Sequence, residues 1–435
     1  MSGTSVMQNI ETRKVSEIVF REDLYPRLNH DPTIVQRYAE NVDVLPPIEV
    51  NQNNELIDGF HRWTAHRKIE AESIAVKVTP TATEAEFLAL AIKRNASHGH
   101  QLANEDKKKM AIRLYAAGTG MDKEEIRQTL SVTARMVNKY LSDIDKQLRE
   151  ERKEKIFNMW MACYSQEEIA DECGVSRESV KIEIETIGKN GTDSKITKSL
   201  VFSKDAEFKP PIYNIWTFSK KTNEVSHFGN SEQRIVDNLL YLYTEPFDIV
   251  VDPFAGGGST IDVCRKRLRR YWCSDRKPIV EREKEIRKHD IGVDGVPPLN
   301  RNWSDVSLTY LDPPYWKQAE NEYSEDPEDL ANMTLDEFNE KLSKLVKEIA
   351  KRQSKGVIAL LIQPTQWRAP EKQYTDHITQ LIQAVNSKRL ILENRVICPY
   401  STEQYTPQMV EWAKENKKLL VLSRELIVWR VVTDG

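Results

Sequence analysis

The C-terminal half of this chain is constrained most by short apolar runs that alternate with amphipathic stretches of helical periodicity. The runs read FDIVVD, LTYLD, GVIALLI and LIVWRVV. Continuous apolar runs are typical of strands buried on both faces, and such strands form parallel sheets covered by helices. The pattern therefore predicts a doubly wound α/β domain over residues 208–435.

The length and composition exclude several classes of protein. A chain of 435 residues is too long for one ordinary domain, and 39% hydrophobic residues suffice to build cores. No apolar run approaches the roughly 20 residues that cross a bilayer, and the first residues lack the apolar centre of a signal peptide. We therefore expect a cytoplasmic protein without membrane contact. The cysteines have neither paired nor zinc-like spacing, so we expect no disulfide scaffold and no metal site; they are Cys163, Cys173, Cys264, Cys273 and Cys398.

Changes in pattern divide the chain into four segments. Residues 12–100 mix strand-like runs with short helices, whereas residues 101–187 carry a nearly pure helical signal with no proline. The run GKNGTDS opens a predicted linker over residues 188–207. We therefore predict a small α+β domain, an all-α region, a linker and the α/β domain.

A Gly-rich turn follows the first apolar run of the α/β domain, within DIVVDPFAGGGSTIDV. Glycines allow a tight turn and the close approach of a ligand. The next strand, RRYWCSD, ends at Asp275, where an acid is suited to bind a ribose hydroxyl. On its own the turn fits a structural role and a Rossmann-like cofactor site equally well. The candidate cofactor residues are Asp252, Pro253, Phe254, Ala255, Gly256, Gly258 and Asp275.

A third apolar strand ends in the sequence Asp312-Pro313-Pro314-Tyr315-Trp316. Asp312 and the Pro313 carbonyl can both accept hydrogen bonds from an exocyclic amine of a base. Proline fixes φ and stiffens the loop, and Tyr315 offers a ring on which a base can stack. The competing interpretation is a structural turn with a capping aspartate.

Together, DPFAGGGST and DPPYW resemble the amino-group class of S-adenosylmethionine-dependent DNA methyltransferases, over residues 208–435. The resemblance implies that the Gly turn binds the methionine part of the cofactor, that Asp275 binds its ribose and that the DPPY tetrad holds the target base. Residues 227–246 resemble the helix that closes over the cofactor. Asp at the first position of the tetrad favours adenine N6, with cytosine N4 as the alternative. A third hypothesis is a DNA-binding regulator with an inactive methyltransferase fold.

Two features depart from that family. Only about 50 residues separate the Gly turn from the tetrad, and about 120 follow it, so no large target-recognition domain is visible. Residues 319–338 are acidic and end in a capping box, Thr334 to Glu337, which predicts a helix to about Arg352. Recognition of the DNA sequence is therefore expected in the N-terminal half.

Residues 55–68, ELIDGFHRWTAHRK, and residues 93–108 resemble the ParB-type nucleotide-binding domain, which is shared with sulfiredoxin. The resemblance implies that Gly59, His61 and Arg62 face nucleotide phosphates at a helix N-terminus, with Arg94 and Asn95 as a second element. Phe60 replaces the cysteine that sulfiredoxin activity needs. A bound nucleoside triphosphate is one hypothesis, and a DNA-clamping or dimerising module without nucleotide turnover is the other. The N-terminal half is the expected dimer contact.

Residues 165–184, SQEEIADECGVSRESVKIEI, have the pattern of a helix-turn-helix, and a diverged copy lies 43 residues earlier. The net charge of −4 gives no general attraction to DNA, so contacts must come from local patches. We define the first cation pair as Arg135 and Lys139, and the second cation pair as Arg177 and Lys181. Each pair lies on one helix face, which predicts phosphate contact; the alternative is a helical connector with apolar core stripes.

Overall fold

The structure is a computed structural model, and it describes residues 10–26, 31–97, 104–116, 121–192, 197–218, 232–299, 303–317, 329–366, 372–399 and 405–433. The chain divides into two compact units, Met1–Glu151 and Arg152–Gly435. Within the described residues, no helix is both long and apolar enough to cross a membrane.

The first unit contains a small mixed sheet with strand order β1-β4-β2-β3. Strand β4 is antiparallel to β1 and parallel to β2, which is antiparallel to β3. The strands are β1 (Ile10–Lys14), β2 (Ile48–Val50), β3 (Leu56–Asp58) and β4 (Ser73–Val78). Its helices are α1 (Pro32–Ala39), α2 (Phe60–Lys68), α3 (Glu84–Ser97), α4 (Asn104–Ala116), α5 (Lys123–Leu130) and the first part of α6 (Ala134–Met161).

The second unit is built on a seven-stranded sheet with order β10-β11-β9-β8-β5-β6-β7. The five strands from β9 to β7 are parallel, and β11 and β10 are antiparallel additions. The strands are β5 (Ile249–Asp252), β6 (Arg270–Asp275), β7 (Ile286–Lys288), β8 (Val306–Leu311), β9 (Val357–Ile362), β10 (Leu390–Pro399) and β11 (Ser423–Val431). Its helices are α7 (Gln166–Cys173), α8 (Arg177–Thr192), α9 (Lys198–Ser203), α10 (Gln233–Tyr243), α11 (Ser259–Lys266), α12 (Leu335–Arg352), α13 (Ile378–Ala384) and α14 (Pro407–Glu415).

Helices cover both faces of the large sheet, as the continuous apolar runs predict. Alternate residues of each strand enter two separate apolar cores: Val250 packs with α10 and α11, whereas its neighbour Val251 packs with α12 and α13. A strand buried on both faces needs apolar side chains at every position. The doubly wound α/β fold is therefore confirmed, together with the smaller α+β domain and the helical region before it.

The helix-turn-helix of residues 165–184 shares a core with the large sheet. Ile169, Ala170 and Val180 belong to the same apolar cluster as Val250 of β5. Arg270 of β6 donates to the carbonyl of Trp160 at 3.1 Å and lies over its ring at 4.6 Å. This helical segment is therefore a packed part of the second unit.

The predicted linker, residues 188–207, is largely structured. Helix α8 continues to Thr192, and the short helix α9 buries Val201 and Phe202, of which Phe202 belongs to the apolar core of the large sheet. Asp205 forms ion pairs with Arg267 at 2.7 Å and with Lys266 at 2.8 Å. This differs from the sequence expectation because GKNGTDS carries turn residues, whereas the apolar residues after it are few. Residues 193–196 lie outside the described residues, and the four segment boundaries stay predictions.

Both helix-turn-helix copies have the expected turn, although only one contains glycine. Gly174 has φ 62° between α7 and α8, and Ser131 has φ 51° between α5 and α6. The diverged copy therefore keeps the left-handed turn with a serine in place of glycine. The capping box at Thr334 and Glu337 is also confirmed, and the helix that it opens ends at Arg352.

Candidate active site at the carboxyl ends of three parallel strands

The Gly-rich turn connects β5 to α11 through two residues with positive φ. Gly256 has φ 51°, and Gly258, which precedes the first residue of α11, has φ 83°. A Cβ at Gly258 would lie 2.6 Å from Nη1 of Arg282. Arg282 donates to the Gly258 carbonyl at 3.0 Å and to Asp262 at 2.6 Å. The turn therefore depends on glycine both for its backbone conformation and for the approach of this guanidinium.

Asp252 organises the turn from within. Its carboxylate accepts a 2.6 Å hydrogen bond from Oγ1 of Thr260 in α11 and a 2.9 Å bond from the N–H of Phe254. The side chain is buried, and burial is the main cause that raises the pKa of Asp252 to about 7; nearby Asp312 and Asp275 contribute in the same direction, and the two hydrogen bonds act against it. One carboxylate oxygen is bound by the turn and the other by the start of α11, so Asp252 stabilises the conformation of the Gly-rich turn.

Asp275 ends β6, the strand that pairs with β5 in parallel. Its Oδ2 accepts from the N–H of Gly256 at 2.9 Å, and its Oδ1 accepts from the N–H of Lys277 at 2.9 Å. The acid predicted to bind ribose thus contacts the Gly-rich turn directly. Two backbone donors fix the carboxylate and leave its remaining lone pairs directed away from them.

The DPPYW sequence follows β8, which pairs with β5 on the side opposite to β6. Asp312 is half-buried, and both of its carboxylate oxygens contact tyrosines: Tyr315 donates to Oδ1 at 3.0 Å and Tyr310 to Oδ2 at 3.3 Å. Trp316 is buried, and its indole N–H donates to the carbonyl of Met333 at 2.9 Å. The tryptophan therefore anchors the loop, and Tyr315 lies against the aspartate.

Three carboxylates thus lie along the side of the sheet that is formed by the carboxyl ends of its parallel strands. Asp275, Asp252 and Asp312 stand at the carboxyl ends of the neighbouring strands β6, β5 and β8. The chain crosses from β5 to β6 on one side and reaches β8 on the other, which makes this edge a topological switch point. Ligands of doubly wound sheets bind at such points. The structure therefore brings the Gly-rich turn, the strand-end acid and the DPPY tetrad together, as the resemblance implies.

In the predicted phosphate site of the first unit, the side chains already form hydrogen bonds and ion pairs with neighbouring residues. Gly59 has φ 105°, and the Asp31 backbone N–H donates to His61 at 3.2 Å. Arg62 donates to Asp58 at 2.8 Å and to the carbonyl oxygens of Pro46 and Pro47. Of the second element, Arg94 pairs with Glu49 at 2.8 Å and Asn95 donates to the Ala91 carbonyl. The guanidinium predicted to grip phosphate is therefore held by local acceptors.

The two cation pairs also differ. Arg177 forms an ion pair with Glu167 at 3.1 Å, and Lys181 lies 3.5 Å from Glu178. Arg135 and Lys139 are exposed, and within the described residues they form no ion pair. The first cation pair is therefore the one whose charge is not already balanced by a neighbouring acid.

Sequence reasoning missed four residues that shape the active site. Tyr310 was detectable, since side chains two apart on a strand share a face and Tyr310 precedes Asp312 by two. Arg282 and the pair of Arg276 with buried Asp329, whose atoms lie 3.2 Å apart, carry no sequence signal, because these contacts bring distant segments together. Part of the predicted cofactor helix, residues 227–231, and half of the acidic segment, residues 319–328, lie outside the described residues.

Comparison with known proteins agrees with this site. A buried parallel sheet with a Gly-rich turn and strand-end acids is typical of α/β domains that bind a nucleotide-like cofactor. The family model of the N6 and N4 type, described as DNA methylase, matches residues 101–283, somewhat less than half of the chain. The match includes both helix-turn-helix copies, the Gly-rich turn and Asp275, and it ends before the tetrad. It confirms the resemblance to an amino-group DNA methyltransferase.

Solved structures give weaker likenesses. ParB from Caulobacter crescentus complexed with CTP-γ-S is 16% identical, with a TM-score of 0.19 over 31% of this chain and 77% of that one. The same protein complexed to the centromeric parS site is 14% identical, with a TM-score of 0.25 over 40% and 97%. TrmN from Thermus thermophilus is 14% identical, with a TM-score of 0.26 over 46% and 49%. TM-scores this far below 0.5 identify neither a ligand nor an activity. No curated protein matches the chain.

Proposed function

We propose that this protein is a site-specific DNA methyltransferase that moves a methyl group from S-adenosylmethionine to the exocyclic amine of a flipped base, with adenine N6 as the preferred target. The observation that carries the proposal is the meeting of Asp275, the Gly-rich turn and Asp312 at the ends of three neighbouring strands. The DNA methylase match supports the reaction class.

The chemistry of this edge suits the cofactor. The positive φ of Gly256 and Gly258 keeps the turn tight, so that its backbone can approach the methionine part, and the fixed carboxylate of Asp275 is an acceptor for ribose hydroxyls. When bound, S-adenosylmethionine supplies an electrophilic methyl group, so no covalent intermediate on the protein is needed. The residues of the chain then have to align the partners and exclude water.

Asp312 and the Pro313 carbonyl are the acceptors that would hold the target amine. An amine N–H bound to Asp312 keeps the nitrogen lone pair directed outward, toward the methyl donor. Because Tyr315 donates to the same carboxylate, its ring lies at the edge where a flipped base must enter. Stacking on this ring would repay part of the cost of unstacking the base from the duplex.

The test is to express the chain alone in cells without DNA methylation and to sequence their DNA with modification detection. We expect N6-methyladenine at one short sequence, and its absence with Asp312→Ala. N4-methylcytosine would change the target base and keep the reaction class. If the purified protein binds S-adenosylmethionine and yet methylates no DNA under any condition, the regulatory hypothesis replaces this one.

The N-terminal half is proposed to bring DNA to the site. Phosphate contact suits the first cation pair best, because its cations are exposed and form no ion pair with any described residue, so they can neutralise phosphates and release the counterions condensed on the DNA. The matching cations of the second helix-turn-helix already have carboxylates beside them. A homodimer through the N-terminal half stays a prediction, which measurement of the solution mass with and without DNA will check.

Nucleotide binding at the ParB-like turn is a second proposal about the same half. Gly59 and the N-terminus of α2 offer backbone donors, but Arg62 would have to leave Asp58 to bind phosphate. If it does so, CTP or another ribonucleoside triphosphate raises the unfolding temperature of the full chain, and Arg62→Ala removes the increase. No increase with any of the four, with and without Mg²⁺ and DNA, would make the turn a structural element.

A further inference from the structure

The strand that leads to the DPPY tetrad carries a buried tyrosine directly beneath the aspartate. Tyr310 lies in β8, two residues before Asp312, and its side chain is 2% exposed. Residues two apart on a strand point to the same face, and the Tyr310 hydroxyl donates to Oδ2 of Asp312 at 3.3 Å. From the other side, Tyr315 donates to Oδ1 at 3.0 Å. The carboxylate is therefore held between two phenol groups.

The two tyrosines differ in how deeply they are buried. Tyr315 is half-buried in the loop after the strand, whereas Tyr310 is enclosed in the apolar core between the sheet and helices α10 and α11. Burial raises the pKa of Tyr310 well above its ordinary value, and Asp312 adds to this effect. The phenol thus keeps its proton at neutral pH and donates to the carboxylate.

We propose that Tyr310 is a positioning residue for methyl transfer. Its hydroxyl holds Oδ2 of Asp312, while the amine of the target base replaces Tyr315 as the donor to Oδ1. The proposal deepens the proposed function and rests on it for the reaction. A carboxylate free to rotate would present its acceptor in many directions, and alignment is the main contribution that this chemistry needs from the protein.

The hydrogen bond also affects how easily the carboxylate takes up a proton. Donors to a charged carboxylate favour that form, so removing one makes protonation easier. Asp275 of β6 adds negative charge at the same strand ends and has the opposite effect, whereas Asp252, whose pKa is raised to about 7, is largely protonated in the acid range. Arg424 of β11 and Cys398 of β10 are further groups that interact electrostatically with the Tyr310 phenol. Loss of the Tyr310 hydroxyl should therefore shift the acid limb of the pH–rate profile to higher pH.

The test compares Tyr310→Phe with Tyr271→Phe. Tyr271 is the matched control, because it is a fully buried strand tyrosine of the same apolar core whose hydroxyl donates to Glu285 at 2.9 Å. We expect Tyr310→Phe to lower the single-turnover methylation rate about tenfold, with unchanged S-adenosylmethionine affinity and the acid limb at higher pH. Tyr271→Phe should leave the rate and the pH profile as in the wild type.

A second measurement does not depend on methylation. In a double-mutant cycle at pH 8, Tyr310→Phe and Asp312→Ala should be coupled in the free energy of unfolding, whereas Tyr271→Phe and Asp312→Ala should be additive. Additivity for Tyr310, or an equal loss of rate in both phenylalanine variants with no shift of the acid limb, would overturn the positioning role. If the two substitutions are coupled but the wild-type protein methylates no DNA, the contact between Tyr310 and Asp312 stands and the proposed function is refuted.

Discussion

Gly258 gives the sharpest test of the cofactor site, because a second glycine, Gly295, has a similar positive φ but no neighbouring atom that a Cβ would meet. Gly258→Ala places a Cβ at a φ of 83°, which costs about 1–2 kcal/mol for an L-residue. The Cβ would also lie 2.6 Å from Nη1 of Arg282. Moving that guanidinium breaks its bonds to the Gly258 carbonyl and to Asp262, together worth about 1 kcal/mol in this partly exposed setting. We expect a total loss of stability of about 2–3 kcal/mol.

The control is Gly295→Ala. Gly295 has φ 75°, but a Cβ there would meet no atom within 4 Å. It should lose only the conformational cost of about 1–2 kcal/mol. Titration calorimetry should then show S-adenosylmethionine affinity reduced about tenfold or more in Gly258→Ala and unchanged in Gly295→Ala, since 1.4 kcal/mol corresponds to a factor of ten. Wild-type affinity in Gly258→Ala, at a temperature where it is folded, would mean that the cofactor does not bind against this turn.

Three further predictions concern other parts of the protein. Asp312→Ala should abolish methylation, with a rate lowered about 10²-fold or more and cofactor affinity retained; an equal loss of rate and affinity would mean that the tetrad is misassigned. Asp275→Ala should weaken cofactor binding and recover the rate at saturating cofactor; an unchanged cofactor dissociation constant would refute that assignment. Reversing the first cation pair to Glu should weaken DNA binding and flatten its salt dependence more than reversing the second pair; the opposite order would identify the second helix-turn-helix as the main phosphate contact. Because the pKa of Asp252 is raised from 3.8 to about 7, the folded state binds the extra proton between these values, so stability should fall as pH rises through this window; chemical unfolding of Asp252→Asn should lack that part of the pH dependence, and an identical profile would contradict it.

Much of the α/β domain could be predicted because its signals are local. A Gly-rich turn, an acid at a strand end and a capping box each act within a few residues, so DPFAGGG and Thr334 have their expected conformations. The position of the tetrad beside the Gly-rich turn follows from a general rule of parallel sheets, which collect strand ends at one edge.

The contacts of the basic stretch at 265–270, RKRLRR, could not be predicted. In sequence it resembles a nucleic-acid patch, yet Arg267 and Arg269 are almost completely buried. Arg267 forms a bidentate contact with Asp237 and lies over the ring of Phe202 at 4.3 Å, and Arg269 donates to Thr244. Charge in a sequence reveals its partners only when they are close along the chain, and these partners are 25 to 65 residues away.

The shared core of the second helix-turn-helix and the large sheet determines where this protein can be divided for engineering. A chimera joined near residue 207 would replace Trp160, Ile169 and Val180, whose partners in the sheet would then face a foreign surface. A junction after Glu151, inside helix α6, would transfer these residues together with the catalytic sheet and exchange only the first unit. A chimera with an exchanged first unit should therefore fold when the junction lies inside helix α6. It should fail to fold when the junction lies in the predicted linker, residues 188–207.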